Sequence, residues 1–151
     1  MLEIESPADM AAFSGKELGK SEWLMVDQAM IDRFAEATGD HQWIHVDVER
    51  AKREMPGGKT IAHGYLTLSL LARLSQSIYS IKKRSRGINY GSNKVRYLNP
   101  VAAGSRVRLV QSLKAAEPVE GGRRLIFDMK IEIEGEARPA LIAETIVLVY
   151  D

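Results

Sequence analysis

The sequence predicts an α+β layer fold, one long buried helix wrapped by an antiparallel sheet, and three observations carry that expectation. The segment "AHGYLTLSLLARLSQSIYS", residues 62–80, has leucines at 66, 68, 70, 71 and 74 that cover nearly every side of a helix. A helix apolar all round is a buried one. From Gly87 onward the texture changes to period two, clearest in "RRLIFDMKIEIEGE", where Leu125, Phe127, Met129, Ile131 and Ile133 alternate with Ile126, Asp128, Lys130, Glu132 and Glu134. The final run, "ALIAETIVLVY", is apolar on both faces: Leu141, Ala143, Val147 and Val149 on one, Ile142, Ile146 and Leu148 on the other. Its second face needs a cover beyond the chain's own helix, which predicts a homodimer.

Taken from the N-terminus, residues 6–13 read as a short helix with Ser6 as cap and Pro7 at the first helical position. "SEWLMVD", residues 21–27, reads as a strand. A helix follows from the cap Asp27 to Ala37, with Ile31, Phe34 and Ala35 on one face and Gly39 past its end. Next come the polar stretch "ATGDHQWIH", a short helix in "VDVERAKRE" capped by Asp47, and a turn in "MPGGKT". After the long helix, strands are expected in "GINYGSNKVRYLNPV", in "RVRLVQSL" from Arg106, in the alternating segment from Arg123, and from Ala140 to the end. With 151 residues, no repeat and no linker-like stretch, the chain reads as one domain over residues 1–151.

Charge and composition remove several function classes. Twenty-one Lys plus Arg against twenty Asp plus Glu leave a net charge of +1, which gives no global electrostatic case for a nucleic acid or an anionic membrane. Without cysteine there is no disulfide, thiolate nucleophile or Cys-based metal site. The N-terminal stretch lacks a signal-peptide layout, and no apolar run approaches the roughly 18 residues that span a bilayer. The expectation is a soluble cytoplasmic protein.

Among motifs, "PGGKT" fails as a phosphate-binding loop because the pattern needs glycine where Arg53 stands. No G-x-S-x-G or G-x-G-x-x-G is present. His41 and His45 have zinc-ligand spacing but lack the glutamate of H-E-x-x-H, so no metal is expected. What remains is a cluster: Asp40, His41, His45 and His63 fall in one short window. On a continuous helix, positions 40 and 45 would lie about 140° apart; in a loop after Gly39 both side chains can converge on one water as an acid/base pair. The spacing alone fits equally a turn cap at Asp40 and a half-buried His45. Trp43 reads as an anchor into the core. In "TIAHGYL", Gly64 begins the long helix, where an unpaired N–H meets a developing anion and the absent side chain allows close approach; close packing explains the glycine too. The basic run Lys82, Lys83, Arg84 and Arg86 is a solvated helix end or a phosphate contact.

Three blocks in order, "TGDHQWIHVD", "TIAHGYLTLSLL" and "NYGSNKVRYLNPVAAGSRVR", resemble the MaoC-like dehydratase family, the (R)-specific enoyl-CoA hydratases, and within it the nodulation-protein-N-like branch. The resemblance runs from about residue 27 to the C-terminus. It implies a hot-dog fold, a homodimer, an acyl-CoA thioester substrate and no further cofactor. It places the catalytic acid and imidazole on Asp40 and His45, holding one water between them, and the oxyanion donor on the Gly64 N–H with His63 beside it at the substrate. It also implies hydration of trans-2-enoyl thioesters; a hot-dog thioesterase and a non-catalytic acyl-thioester-binding protein are the alternatives. The chain departs from the family pattern at Gln42 and Trp43, at Ala72 where some members carry serine, and at Tyr97 and Asn99.

Overall fold

The computed structural model describes residues Met1 to Asp151. Strand β1 (Leu2–Ile4) leads into a 3₁₀ turn (Pro7–Phe13) whose start is fixed by Asp9, which accepts hydrogen bonds from the Ser6 N–H at 3.1 Å and the Ser6 hydroxyl at 2.7 Å. Strands β2 (Lys16–Lys20) and β3 (Leu24–Val26) follow. Helix α1 (Gln28–Thr38) begins where the Asp27 carboxylate accepts the Met30 N–H at 2.8 Å. It stops at Gly39, whose φ of 77° is left-handed and whose N–H returns to the Ala35 carbonyl. Two short helices, α2 (Trp43–Val46) and α3 (Val48–Glu54), are separated only by Asp47, which caps α3 through the Arg50 N–H at 3.0 Å.

Helix α4 (Gly64–Ser75) is shorter than the predicted 62–80. Leu66, Thr67, Leu70, Leu71 and Leu74 are buried, while Tyr65, Ser69, Ala72 and Arg73 face solvent, so one side of the helix is core and the other is not. The residues read as its last turn form strand β4 (Tyr79–Ile81), paired in parallel with β1 from the other end of the chain. Leucines all round give no sign of that break, because the pairing partner, Leu2–Ile4, is far away in sequence.

The main sheet is antiparallel, in the order β2, β6 (Ser105–Val119), β7 (Gly122–Ile133), β8 (Leu141–Tyr150), β5 (Arg86–Tyr97), with β3 also paired to β6. The predicted alternation of β7 holds: Leu125, Phe127, Met129, Ile131 and Ile133 are the buried set. They join Leu109, Leu113, Leu141 and the buried leucines of α4 in one cluster. Full burial of each such side chain stabilises by roughly 1.5–3 kcal/mol, which makes this layer the rigid support for the helix. The second face of β8 stays half-exposed at Ile142, Ile146 and Leu148. Strand β5 is an edge, bonded on one side to β8 and exposed along almost its whole length. No helix is long and apolar enough to cross a membrane.

Candidate active site

The site forms where the end of α1 meets the start of α4. Because Gly39 turns the chain out of α1, Asp40 is the first residue of the connection, and its carboxylate accepts the Gln42 N–H at 3.3 Å in a local turn. The connection is shorter than the sequence suggests. His45 lies within the single turn of α2 rather than in a loop. Convergence survives because Gln42 has extended backbone, which breaks any helical phase between positions 40 and 45.

His45 is buried, and its environment fixes its tautomer. Its Nδ1 lies 2.6 Å from the Ile61 carbonyl oxygen, which can only accept, so Nδ1 carries the hydrogen and Nε2 keeps a lone pair. The backbone is held too. The Ile61 N–H donates to the Ile44 carbonyl at 3.0 Å. The Gln28 amide nitrogen donates to the His45 carbonyl at 2.7 Å and to the Asp32 carboxylate at 2.9 Å, while its oxygen accepts the Thr60 hydroxyl. An Asp40 carboxylate oxygen and one ring nitrogen from each of His45 and His63 lie within 4.8 Å of one another. One water with ordinary hydrogen bonds spans such a gap.

Helix α4 supplies the second half. His63 occupies the N-cap with φ −58° and ψ 138°, and the Gly64 N–H has no hydrogen-bond partner in the chain. A cavity of about 280 Å³ opens at this end, lined by His45, Gly64, Thr67, Tyr97, Asn99 and Val101 among others. Tyr97 presses close: a carbon added at Gly64 lands 3.0 Å from its ring. Burial and then the neighbouring Tyr65 raise the Tyr97 phenol above its ordinary pKa. His45 and the free Gly64 N–H line this cavity, and the exposed Asp40 carboxylate, outside the lining, comes within 4.8 Å of a His45 ring nitrogen; an imidazole, a carboxylate and a backbone donor so grouped can move a proton beside a polarised carbonyl.

The other predicted residues are placed differently. His63 is buried, stacked on His45 with ring centroids 3.8 Å apart at 24°, and its Nε2 lies 2.9 Å from the Asp40 backbone oxygen. His41 is on the surface, 3.9 Å from Glu36. Trp43 is half-buried under the Arg50 guanidinium at 3.9 Å, a surface stack more than a core anchor. Ala72 is exposed and outside the pocket lining. Lys82, Lys83, Arg84 and Arg86 lie beyond the far end of α4, about 18 Å of helix away from Gly64. Lys82 pairs with Glu3 at 3.4 Å and Lys83 with Glu5 at 3.0 Å; Arg86 stacks on Tyr150 at 4.3 Å. Gln28, Thr60 and Thr67 also belong to the site; Thr60 and Thr67 lie inside the block "TIAHGYLTLSLL", where the sequence singles out only His63 and Gly64 as site candidates, and Gln28 stands in no motif. Tyr97 and Asn99 stand out in the sequence only as departures from the family pattern, and the structure gives them a place in the pocket wall.

Fold and site together define the class: a hot-dog protein with an acid and an imidazole facing the start of its central helix. The MaoC like domain matches residues 9–127, and the chain belongs to this MaoC-like family of dehydratases and hydratases. The chain is 49% identical over 148 residues to the 3-hydroxyacyl-thioester dehydratase Z of Mycobacterium tuberculosis, covering 97% of each. Nodulation protein N of Rhizobium leguminosarum bv. viciae is 48% identical over 147 residues, covering 95% of this chain and 91% of that one. The unliganded R-hydratase of Pseudomonas aeruginosa superposes with a TM-score of 0.77 at 16% identity, over 97% of this chain and 86% of that one, a likeness of fold.

Proposed function

We propose that the protein adds water reversibly across the double bond of trans-2-enoyl-CoA, giving (R)-3-hydroxyacyl-CoA. The observation that carries the proposal is the convergence of the Asp40 carboxylate and a tautomer-fixed His45 within 4.8 Å, beside a pocket that His45 itself lines and that also presents the unpartnered Gly64 N–H. Water held between Asp40 and His45 attacks C3. The proton it loses passes to the pair and from there to C2, so that H and OH are added in net and nothing else is consumed. As C3 is attacked, charge moves to the thioester oxygen, and the Gly64 N–H, reinforced by the partial positive charge at the helix start, stabilises it there. Dehydration runs the same steps backward, which accords with the name of the 49% identical relative. Hydrolysis would direct the same activated water to the carbonyl carbon and release free thiol, which is the signal that separates it from hydration. Arg84 and Arg86, which have no carboxylate partner, remain our candidates for contacts to the CoA phosphates.

The direct test is crotonyl-CoA. The enoyl absorbance should fall without release of free thiol, and Asp40→Asn and His45→Gln should each slow this by about 10²- to 10⁴-fold. Thiol release, or a near-wild-type rate in either variant, would defeat the assignment.

Gly64 is tested by a pair of variants. Proline removes the N–H, and the extended backbone of His63 suits a residue preceding proline. Both alanine and proline add the carbon that meets Tyr97, so alanine measures crowding alone. The proline variant should lose about 10²- to 10³-fold in turnover beyond alanine, the scale of one oxyanion donor. Equal losses in two folded variants would assign Gly64 to space rather than to charge.

We also propose a homodimer. The unpaired edge of β5 offers a row of free backbone groups, with Ile88 and Tyr90 exposed beside it. Sedimentation at micromolar concentration should give about twice the 16.8 kDa chain mass; a monomer there contradicts the proposal.

A further inference from the structure

We propose that His63 is a positioning residue for this reaction: its imidazole clamps the Asp40 backbone against the ring of His45 and so sets the separation of the acid/base pair. This role rests on the hydration proposed for Asp40 and His45. Residues 40–42 are weakly tethered. Within this stretch the Asp40 N–H reaches the Thr38 hydroxyl at 3.4 Å and the Gln42 N–H reaches the Asp40 carboxylate at 3.3 Å, both long and both local. The one hydrogen bond from these residues to a distant part of the chain is the 2.9 Å contact between the Asp40 carbonyl and His63 Nε2. A carbonyl only accepts, so Nε2 carries the hydrogen.

The remaining nitrogen shows why an imidazole stands here. His63 Nδ1 is buried without a partner, an unfavourable placement that an apolar ring would avoid. The ring is otherwise packed as an apolar one, stacked on His45 and in tilted contact with Phe34 at 4.9 Å. A phenylalanine would keep those contacts and lose only the donor. The donor is therefore the feature that distinguishes histidine at this position. At 3% exposure His63 is not part of the pocket lining, although His45 and Gly64 on either side of it are. One residue thus starts α4, where Gly64 follows; stacks on the imidazole; and holds the backbone of the acid.

Two variants separate donor from ring. His63→Phe keeps the stack without the N–H, and His63→Gln keeps an N–H at the position of Nε2 without the ring. In crotonyl-CoA hydration, His63→Phe should lower kcat by about 10- to 100-fold with KM changed less than about twofold, as expected when a catalytic group is misplaced while substrate binding is untouched. His63→Gln should restore kcat to within about fivefold of the wild type. A Phe variant with unchanged kcat, a rise in KM in place of a fall in kcat, or equal losses in Phe and Gln would overturn the proposal. Long-range proton–nitrogen NMR of the wild-type protein gives a readout without turnover: His63 should be protonated at Nε2 and bare at Nδ1. The opposite tautomer overturns the clamp whatever the kinetics. An inactive wild type with the expected tautomer would instead count against hydration and leave the clamp standing.

Discussion

The site depends on the backbone of one residue, Ile61. Its N–H donates to the carbonyl of Ile44 and its carbonyl receives the Nδ1 hydrogen of His45, so the strand-like segment before α4 grips α2 by backbone and side chain together. Ile61 is in turn bridged to Ala102, and the Ala62 and Ala103 N–H groups tie the same segment to Val101 and Thr60. The lone pair at His45 Nε2 thereby inherits its direction from the sheet side of the molecule. The start of α4 and the carboxylate of Asp40 are then arranged about that fixed point. A group that must accept a proton in a set place needs such over-determination, since displacement by about 1 Å can cost two orders of magnitude in rate.

The arrangement sets a rigid apolar layer against a few polar atoms left short of partners. Phe127, Leu109, Leu113 and Leu125 are fully buried beneath α4. Their burial, at roughly 1.5–3 kcal/mol each, offsets the roughly 1–3 kcal/mol that an unpartnered buried polar group costs. The unused Gly64 N–H and the bare Nδ1 of His63 lie together where α4 starts, at the pocket end of this layer. At the other end of α4 Ser75 donates to the Gln111 oxygen while the Gln111 amide nitrogen is also buried without a partner, and neither residue lines the pocket.

Much of this is legible in the sequence, and the reasons are local. Period two in β7 and the Asp27 to Gly39 helix follow from side-chain pattern and cap chemistry, and both are present within a residue or two. The window of Asp40, His45, His63 and Gly64 is visible because polar residues of these types are sparse in the apolar segments. What is not legible depends on distant partners. Tyr79 to Ile81 is a strand because Leu2 to Ile4 lies beside it; β2 exists because β6 offers an edge to Lys16–Lys20. His45 is braced by Gln28 and Thr60, which are remote from it along the chain and look in a linear reading like any solvated amide and hydroxyl. Proximity to Gly64 suggests that His63 faces the substrate, and only three-dimensional packing shows its ring turned toward Asp40 and His45.

Asp40 and His45 serve one water as a unit in this account, and a double-variant cycle tests that most directly. Crotonyl-CoA hydration is measured for Asp40→Asn, His45→Gln and the combined variant, with folding checked for each. Residues that act together lose their function once, so the combined variant should be no more than about fivefold slower than the slower single variant. Losses that multiply across the two substitutions would show two independent contributions, and the shared water would have to be abandoned.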